Sequence, residues 1–305
     1  MKRLLVTGAS GLLGFNLALR ESAHRDVTGI TYSQGLTGTP FNAVSLDLTN
    51  TEAVNRLIDQ LEPEGIIHCA AMANIDACEK DPYQAERINA EVPGEIARIC
   101  QSRGIRMVHL STDAVFDGSR GGYLETDATN PLSIYAQTKL QGEQSVLKAD
   151  PDAVVARVNF YGWSLTGKRS LAEFFYYNLS AGKAVNGFTD VEFCPLFVNH
   201  LADVLMLLLE GNFSRIYHVV NPISLTKYEF GCRIADVFGF DKGLIKPVSV
   251  LDGGLTARRS PKLTLNTAKL QAALPVALPD LQDGIQYFAA QQTAGYPESI
   301  THYLH

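Results

Sequence analysis

The first half of the chain alternates between two patterns of apolar residues. Short apolar runs, "RLLVT", "DVTGITY", "NAVSL", "GIIHCAA", "RMVHLST" and "DAVVARV", read as strands. Between them, "LLGFNLALRESA", "EAVNRLIDQL", "AERINAEVPGEIARICQSRG" and the segment around "SIYAQTKLQGE" read as helices. Pro93 falls inside the third of these, where it is expected to kink the helix or split it in two. Strands alternating with helices imply right-handed βαβ units and a parallel sheet. The second half is less regular. "SLAEFFYYNLSAG", "VNHLADVLMLLLEG" and "TKYEFGCRIADVFG" are expected helices, each ending near a glycine. No repeat and no Pro/Gly/Ser-rich hinge separates the halves, so two lobes are expected to interleave.

The first strand runs straight into "GASGLLG", with a helix to follow. Gly8, Gly11 and Gly14 allow a tight turn, close backbone approach to a phosphate, and close packing of helix on strand. The helix start then offers free N–H groups and a positive dipole end to a pyrophosphate. Glycines also mark plain turns, but this triplet sits between a first strand and a first helix, the context that supports dinucleotide binding. The expected fold class is therefore α/β, a Rossmann-type doubly wound parallel sheet with a smaller C-terminal α/β substrate lobe. Residues 1–158, completed by parts of 185–220, would form the dinucleotide-binding domain. Residues 159–184 and 221–305 would form the substrate lobe.

The end of the second strand bears on which nicotinamide cofactor is used. An acid there would bond the ribose 2′-OH of NAD, and an Arg nearby would suit the 2′-phosphate of NADP. This chain has "TYSQG" and neither. Tyr32 and Ser33 lie at the expected contact, and Ser33 can donate to either group. The missing carboxylate favours NADP(H) slightly over NAD(H). Asp47, followed by Leu48 after the third strand, suits two roles: contact with the adenine amino group, or capping of the next helix.

The pair Tyr135 and Lys139 stands four residues apart, with Ser133 as a candidate N-cap. On a helix these side chains share a face. A nearby cation favours a phenolate and is expected to lower the phenol's pKa towards the range where general acid–base catalysis works best. A solvated lysine beside a half-buried tyrosine is the plainer alternative.

Composition narrows the function classes. The chain has 305 residues, 46% hydrophobic and 19% charged, with a formal net charge of −6 and no Lys/Arg-rich run. That argues against nucleic-acid and anionic-membrane partners. "VLMLLLE" is far shorter than a membrane span and reads as a buried helix. "MKRLLVTGAS" lacks the long apolar region of a signal peptide. Cys69, Cys78, Cys100, Cys194 and Cys232 form no Cys-x-x-Cys pair, and the seven histidines show no ligand spacing. We expect reduced thiols, no metal, and a cytoplasmic location.

With "TGASGLLG", "HCAAMANIDACEKDP", "INAEVPGEIA", "HLSTDAVFDG" and "YAQTK" in this order, the chain resembles the extended short-chain dehydrogenases/reductases, and more narrowly their dTDP-4-dehydrorhamnose reductase branch. "LTKYEFGCRIADVFGF", "IKPVS" and "ARRSPKLTLNTAKL" extend that likeness past residue 265. The resemblance implies that Tyr135 is the catalytic acid and that Lys139 is its partner and a holder of the nicotinamide ribose. Thr112 would be the hydroxyl member of the set, and Asn89 a support for the lysine. Ser10, Leu12 and Leu13 in the glycine turn, the small-residue segment Cys69, Ala70 and Ala71, and Ser111 would lie against the cofactor. Met72, Asp113, Ala114, Phe160 and Arg259 would face the substrate.

The implied activity is NAD(P)H-dependent reduction of a 4-keto nucleotide-sugar or a similar carbonyl, with room for a homodimer. Two departures touch the substrate pocket. The branch usually carries an aromatic where this chain has Ala114, and its usual Trp after the sixth strand is replaced by Phe160 and Tyr161, with Trp163 later. A nucleotide-sugar epimerase or dehydratase is a second reading, although a dehydratase would usually show an acidic pair where Asp113 is followed by Ala114. The same blocks are similar to the regulatory beta subunit of methionine adenosyltransferase, so a cofactor-binding regulatory subunit is a third reading.

Overall fold

The computed structural model describes residues 1–252 and 260–304. Six of the expected strands form: β1 (Arg3–Thr7), β2 (Asp26–Thr31), β3 (Asn42–Ser45), β4 (Gly65–His68), β5 (Arg106–Thr112) and β6 (Val154–Val158). A seventh, Arg215–Val219, joins at the β6 edge. The order across the sheet is β3, β2, β1, β4, β5, β6 and then Arg215–Val219, and every pairing is parallel. The direction of winding reverses between β1 and β4, which opens a crevice beyond the carboxyl ends of those strands.

Both faces of the sheet are covered, as an all-parallel sheet requires. The helices up to residue 238 are α1 (Leu12–Glu21), α2 (Thr51–Leu61), α3 (Ile75–Lys80), α4 (Pro82–Glu86), α5 (Val92–Arg103), α6 (Ile134–Ala149), α7 (Leu171–Ser180), α8 (Val198–Glu210) and α9 (Lys227–Phe238). Successive strand residues serve opposite faces. Leu4 and Val6 of β1 pack in one core with Phe15 and Leu17 of α1 and Leu201 and Leu205 of α8. Leu5 packs in the other with Ile58 of α2, Ile96 of α5 and Val146 of α6. The first core runs on into the second half of the chain, through Phe175, Phe230, Ile245 and Phe288. There the strands are short and form separate small sheets; Val185–Phe188, for example, pairs with Ile245–Val248.

The expected third helix is continuous but changes pitch. Residues Arg87–Glu91 form a π-turn between α4 and α5, with Val92 N–H returning to Arg87 O. Pro93 has no N–H to offer the carbonyl four residues back, which is that of Asn89. At that carbonyl α6 comes so near that a Cβ at Gly142 would stand 2.2 Å from Asn89 O. The proline therefore does not split the helix, which runs on from α4 through the π-turn into α5. It occurs with a local widening that presents Asn89 to the neighbouring helix, and such π-turns are frequent at functional sites.

Candidate active site

The glycine turn sits at the end of β1 in the crevice. Gly8 has φ +67°, a conformation that favours glycine. A Cβ at Gly14 would lie 2.3 Å from Gly8 O, so α1 can begin only where residue 14 has no side chain. Gly11 is the N-cap of α1, in ordinary extended conformation, and no side chain caps the helix. The N–H groups of the first turn are thus left for a ligand.

A cavity of about 440 Å³ opens beside this turn. Gly8, Gly11, Leu12, Leu13 and Gly14 line one side. Cys69 and Ala71, just beyond β4, line it too, as do Ser111 and Thr112 at the end of β5, Tyr135 and Lys139 on α6, and Phe160. Leu110, Val158, Ala73, Asn74 and Arg169 also line it and were not expected from sequence. A larger hollow of about 580 Å³ runs along α9, lined by Tyr228, Cys232 and Asp236, with none of the Thr112, Tyr135 and Lys139 set on its walls.

Ser133 caps α6 by accepting the Ala136 N–H at 3.2 Å. That fixes the first turn, from which Tyr135 projects. The Thr112 hydroxyl lies near enough to the phenol to favour its ionised form. Burial pushes the Tyr135 phenol up to about 12, more than the Thr112 hydroxyl lowers it. This corrects the expectation that Lys139 holds the phenol down. The lysine ammonium instead donates to Leu110 O at 2.6 Å. Burial lowers that ammonium to about 8, against the opposing pull of Glu143. In the free protein the lysine is thus the stronger acid of the two.

The surroundings of Lys139 carry little compensating charge. Burial lowers His68 to about 3 and His109 well below its ordinary value, so both stacked imidazoles are neutral near pH 7. Burial pushes the Cys69 thiol up to about 12, which keeps it protonated. Asp113 is buried and raised to about 6, with Asn159 Nδ2 donating to it at 2.6 Å. The Thr112 hydroxyl donates to Asp113 Oδ1 at 3.1 Å, so an incoming oxygen must compete for that proton.

The remaining expected residues hold other positions. Asn89 is buried and reaches Thr138 rather than Lys139: its Nδ2 donates to Thr138 Oγ1 at 3.1 Å and to Met72 O at 3.1 Å, while its Oδ1 accepts the Met72 N–H. It ties the loop after β4 to α6. Ala70 N–H donates to Thr7 Oγ1. Ser111 donates to Glu143 at 2.5 Å, and Glu143 is paired twice with buried Arg157. Asp47 caps its own turn, accepting from Thr49 N and Oγ1. Tyr32 and Ser33 follow β2 and are exposed, and Leu48 packs against the second core. Ser10, Met72, Asp113 and Ala114 border the crevice without lining the cavity. Trp163 is wholly buried, stacked on Phe288, and belongs to the core. Arg259 lies outside the described residues. Among the described residues no cluster of His, Cys, Asp and Glu is arranged to hold a metal ion, and no helix is long and apolar enough to cross a membrane.

A parallel sheet wound in this order, 3-2-1-4-5-6, is that of the Rossmann-type doubly wound class. Within that class the chain belongs to the RmlD substrate binding domain family, whose profile matches residues 1–294. It is 33% identical to the probable low-salt glycan biosynthesis reductase Agl14 of Haloferax volcanii, over 92% of this chain and 95% of that one. It is 33% identical to dTDP-4-dehydrorhamnose reductase of Mycobacterium tuberculosis, over 87% and 85%. Methionine adenosyltransferase 2 subunit beta of Rattus norvegicus is 30% identical over 88% and 82%. Among solved structures, dTDP-4-dehydrorhamnose reductase of Bacillus anthracis in complex with NADP superposes with a TM-score of 0.84 at 26% identity, over 95% of this chain and all of that one.

Proposed function

We propose that this protein reduces a 4-keto nucleotide-sugar or a closely similar carbonyl, using NAD(P)H with a slight preference for NADPH. The observation that carries the reading is the shared cavity: Thr112, Tyr135 and Lys139 line the same space as the uncapped start of α1. The residues present fit a dinucleotide. The turn admits no Cβ at residue 14, the helix start is free for a pyrophosphate, and small residues follow β4.

When bound, the reduced nicotinamide supplies a hydride from C4. The chain's own residues do the rest. Thr112 turns its hydroxyl from Asp113 to the substrate oxygen and orients it. Tyr135 gives that oxygen its phenolic proton. Lys139, the more acidic group in the free protein, lies in the right order to return a proton to the tyrosinate. Asn89 acts at one remove, by fixing Met72 and Thr138. The second-half lobe receives the sugar, and Phe160 and Ala114 shape its pocket.

Mass identification of co-purified cofactor, then a panel of dTDP- and UDP-4-keto sugars followed at the nicotinamide absorbance, tests this reading. Ser33→Asp should weaken NADPH more than NADH by repelling the 2′-phosphate; equal losses would remove Ser33 from the adenosine site. The kinship with the methionine adenosyltransferase beta subunit supports a second reading, a cofactor-bound regulatory subunit. Tight capture of one protein partner, with no carbonyl reduced across the panel, would favour it.

A further inference from the structure

Resting on the dinucleotide reading above, we infer that Arg169 grips a diphosphate across the cavity from the start of α1. The charged side chains lining this cavity, among the described residues, are Lys139 and Arg169, both cations, in a chain of net charge −6. Lys139 is engaged with Leu110 O. The Arg169 guanidinium has no hydrogen bond or ion pair among the described residues; only its backbone N–H is bonded, to Glu173 at 2.9 Å. An unpaired guanidinium lining the same cavity as an uncapped helix start leaves two positive groups on one space without a counter-charge. The group that answers both is an anion with several oxygens, and the planar fork of arginine suits a phosphate.

The segment carrying Arg169 is held rigidly for this role. Glu173, wholly buried on α7, accepts from Ser164 N, Ser164 Oγ, Arg169 N and Ser170 N. Ser170 Oγ donates back to Gly162 O at 2.8 Å. One carboxylate thus gathers both ends of the 164–170 loop, while the Arg169 side chain is left exposed. Rigid backbone beneath a free cation lowers the cost of ordering it on a ligand.

The diphosphate has two sources, the pyrophosphate of the dinucleotide and the diphosphate of a nucleotide-sugar. Titration of Arg169→Gln and wild type with NADPH, ADP-ribose and dTDP separates them. Arg169→Gln should bind its diphosphate about tenfold to a hundredfold more weakly. Arg169→Lys should restore part of the loss, and wild-type affinity should fall more steeply with salt than that of Arg169→Gln. Loss confined to NADPH and ADP-ribose assigns the contact to the dinucleotide; loss confined to dTDP assigns it to the sugar nucleotide. If wild type binds NADPH and Arg169→Gln binds all three ligands equally well, the inference falls and the dinucleotide reading stands. If wild type binds no dinucleotide, both fall.

Discussion

Two acidities at the site are set by burial. The Tyr135 phenol at about 12 stays protonated across the working pH range, as a proton donor in reduction must. Tyr135→Phe keeps the ring and removes only the hydroxyl. It should leave dinucleotide affinity nearly unchanged in titration and cut carbonyl turnover by roughly 10² to 10⁴. A variant as fast as wild type would show that this phenol is not the acid. Lys139 titrates lower, near 8. Its folded-state pKa is depressed, so the ammonium form is lost as pH rises through about 8, well before the phenol ionises. Dinucleotide kcat/KM, which reports the free enzyme, should therefore decline above pH about 8. A profile flat to pH 10 would remove the ammonium from the mechanism.

At the scale of the element, the three glycines of the turn divide into different duties. Gly14 is needed by the fold, because a Cβ there would meet Gly8 O at 2.3 Å. Gly11 is in an extended conformation, and its nearest neighbour to an added Cβ is Gly8 O at 3.1 Å. Gly14→Ala should lower stability by about 1–3 kcal/mol through a forced backbone shift, read as a lower denaturant midpoint. Gly11→Val should keep the fold and lose dinucleotide binding. Equal affinity for the dinucleotide in a folded Gly11→Val protein would place the phosphates elsewhere. The spacing alone marked all three as one motif; the contact distances separate them.

Across the whole molecule, the site stands on a buried ion pair. Glu143 of α6 is bonded to Ser111 of β5 and to Arg157 of β6, and Arg157 reaches His218 of the edge strand at 3.4 Å. Glu143 and Arg157 are each about 2% exposed. Arg157→Met should cost about 3–5 kcal/mol in denaturant unfolding, because it strands the Glu143 carboxylate in the core. Adding Glu143→Gln should recover much of that loss. Full additivity of the two costs would show that they do not act as a pair.

The sequence by itself determined the local structure and the chemical inventory. Apolar runs marked six strands, glycines marked the turn, Ser133 marked the start of α6, and the motif order marked the class, since each depends on residues near one another in the chain. Tertiary structure decided what depends on burial and on distant partners. The seventh strand, Arg215–Val219, mixes charged, polar and apolar residues, and it counts as part of the sheet only through its pairing with β6. The direction of the Tyr135 shift was misjudged because i, i+4 spacing fixes which face a lysine shares but not where its ammonium points. Leu110 O, twenty-nine residues away, took that ammonium. Arg169 had no local signal at all. An arginine in a polar loop becomes a candidate ligand only when a buried Glu173 holds its backbone and the turn after β1 lines the same cavity.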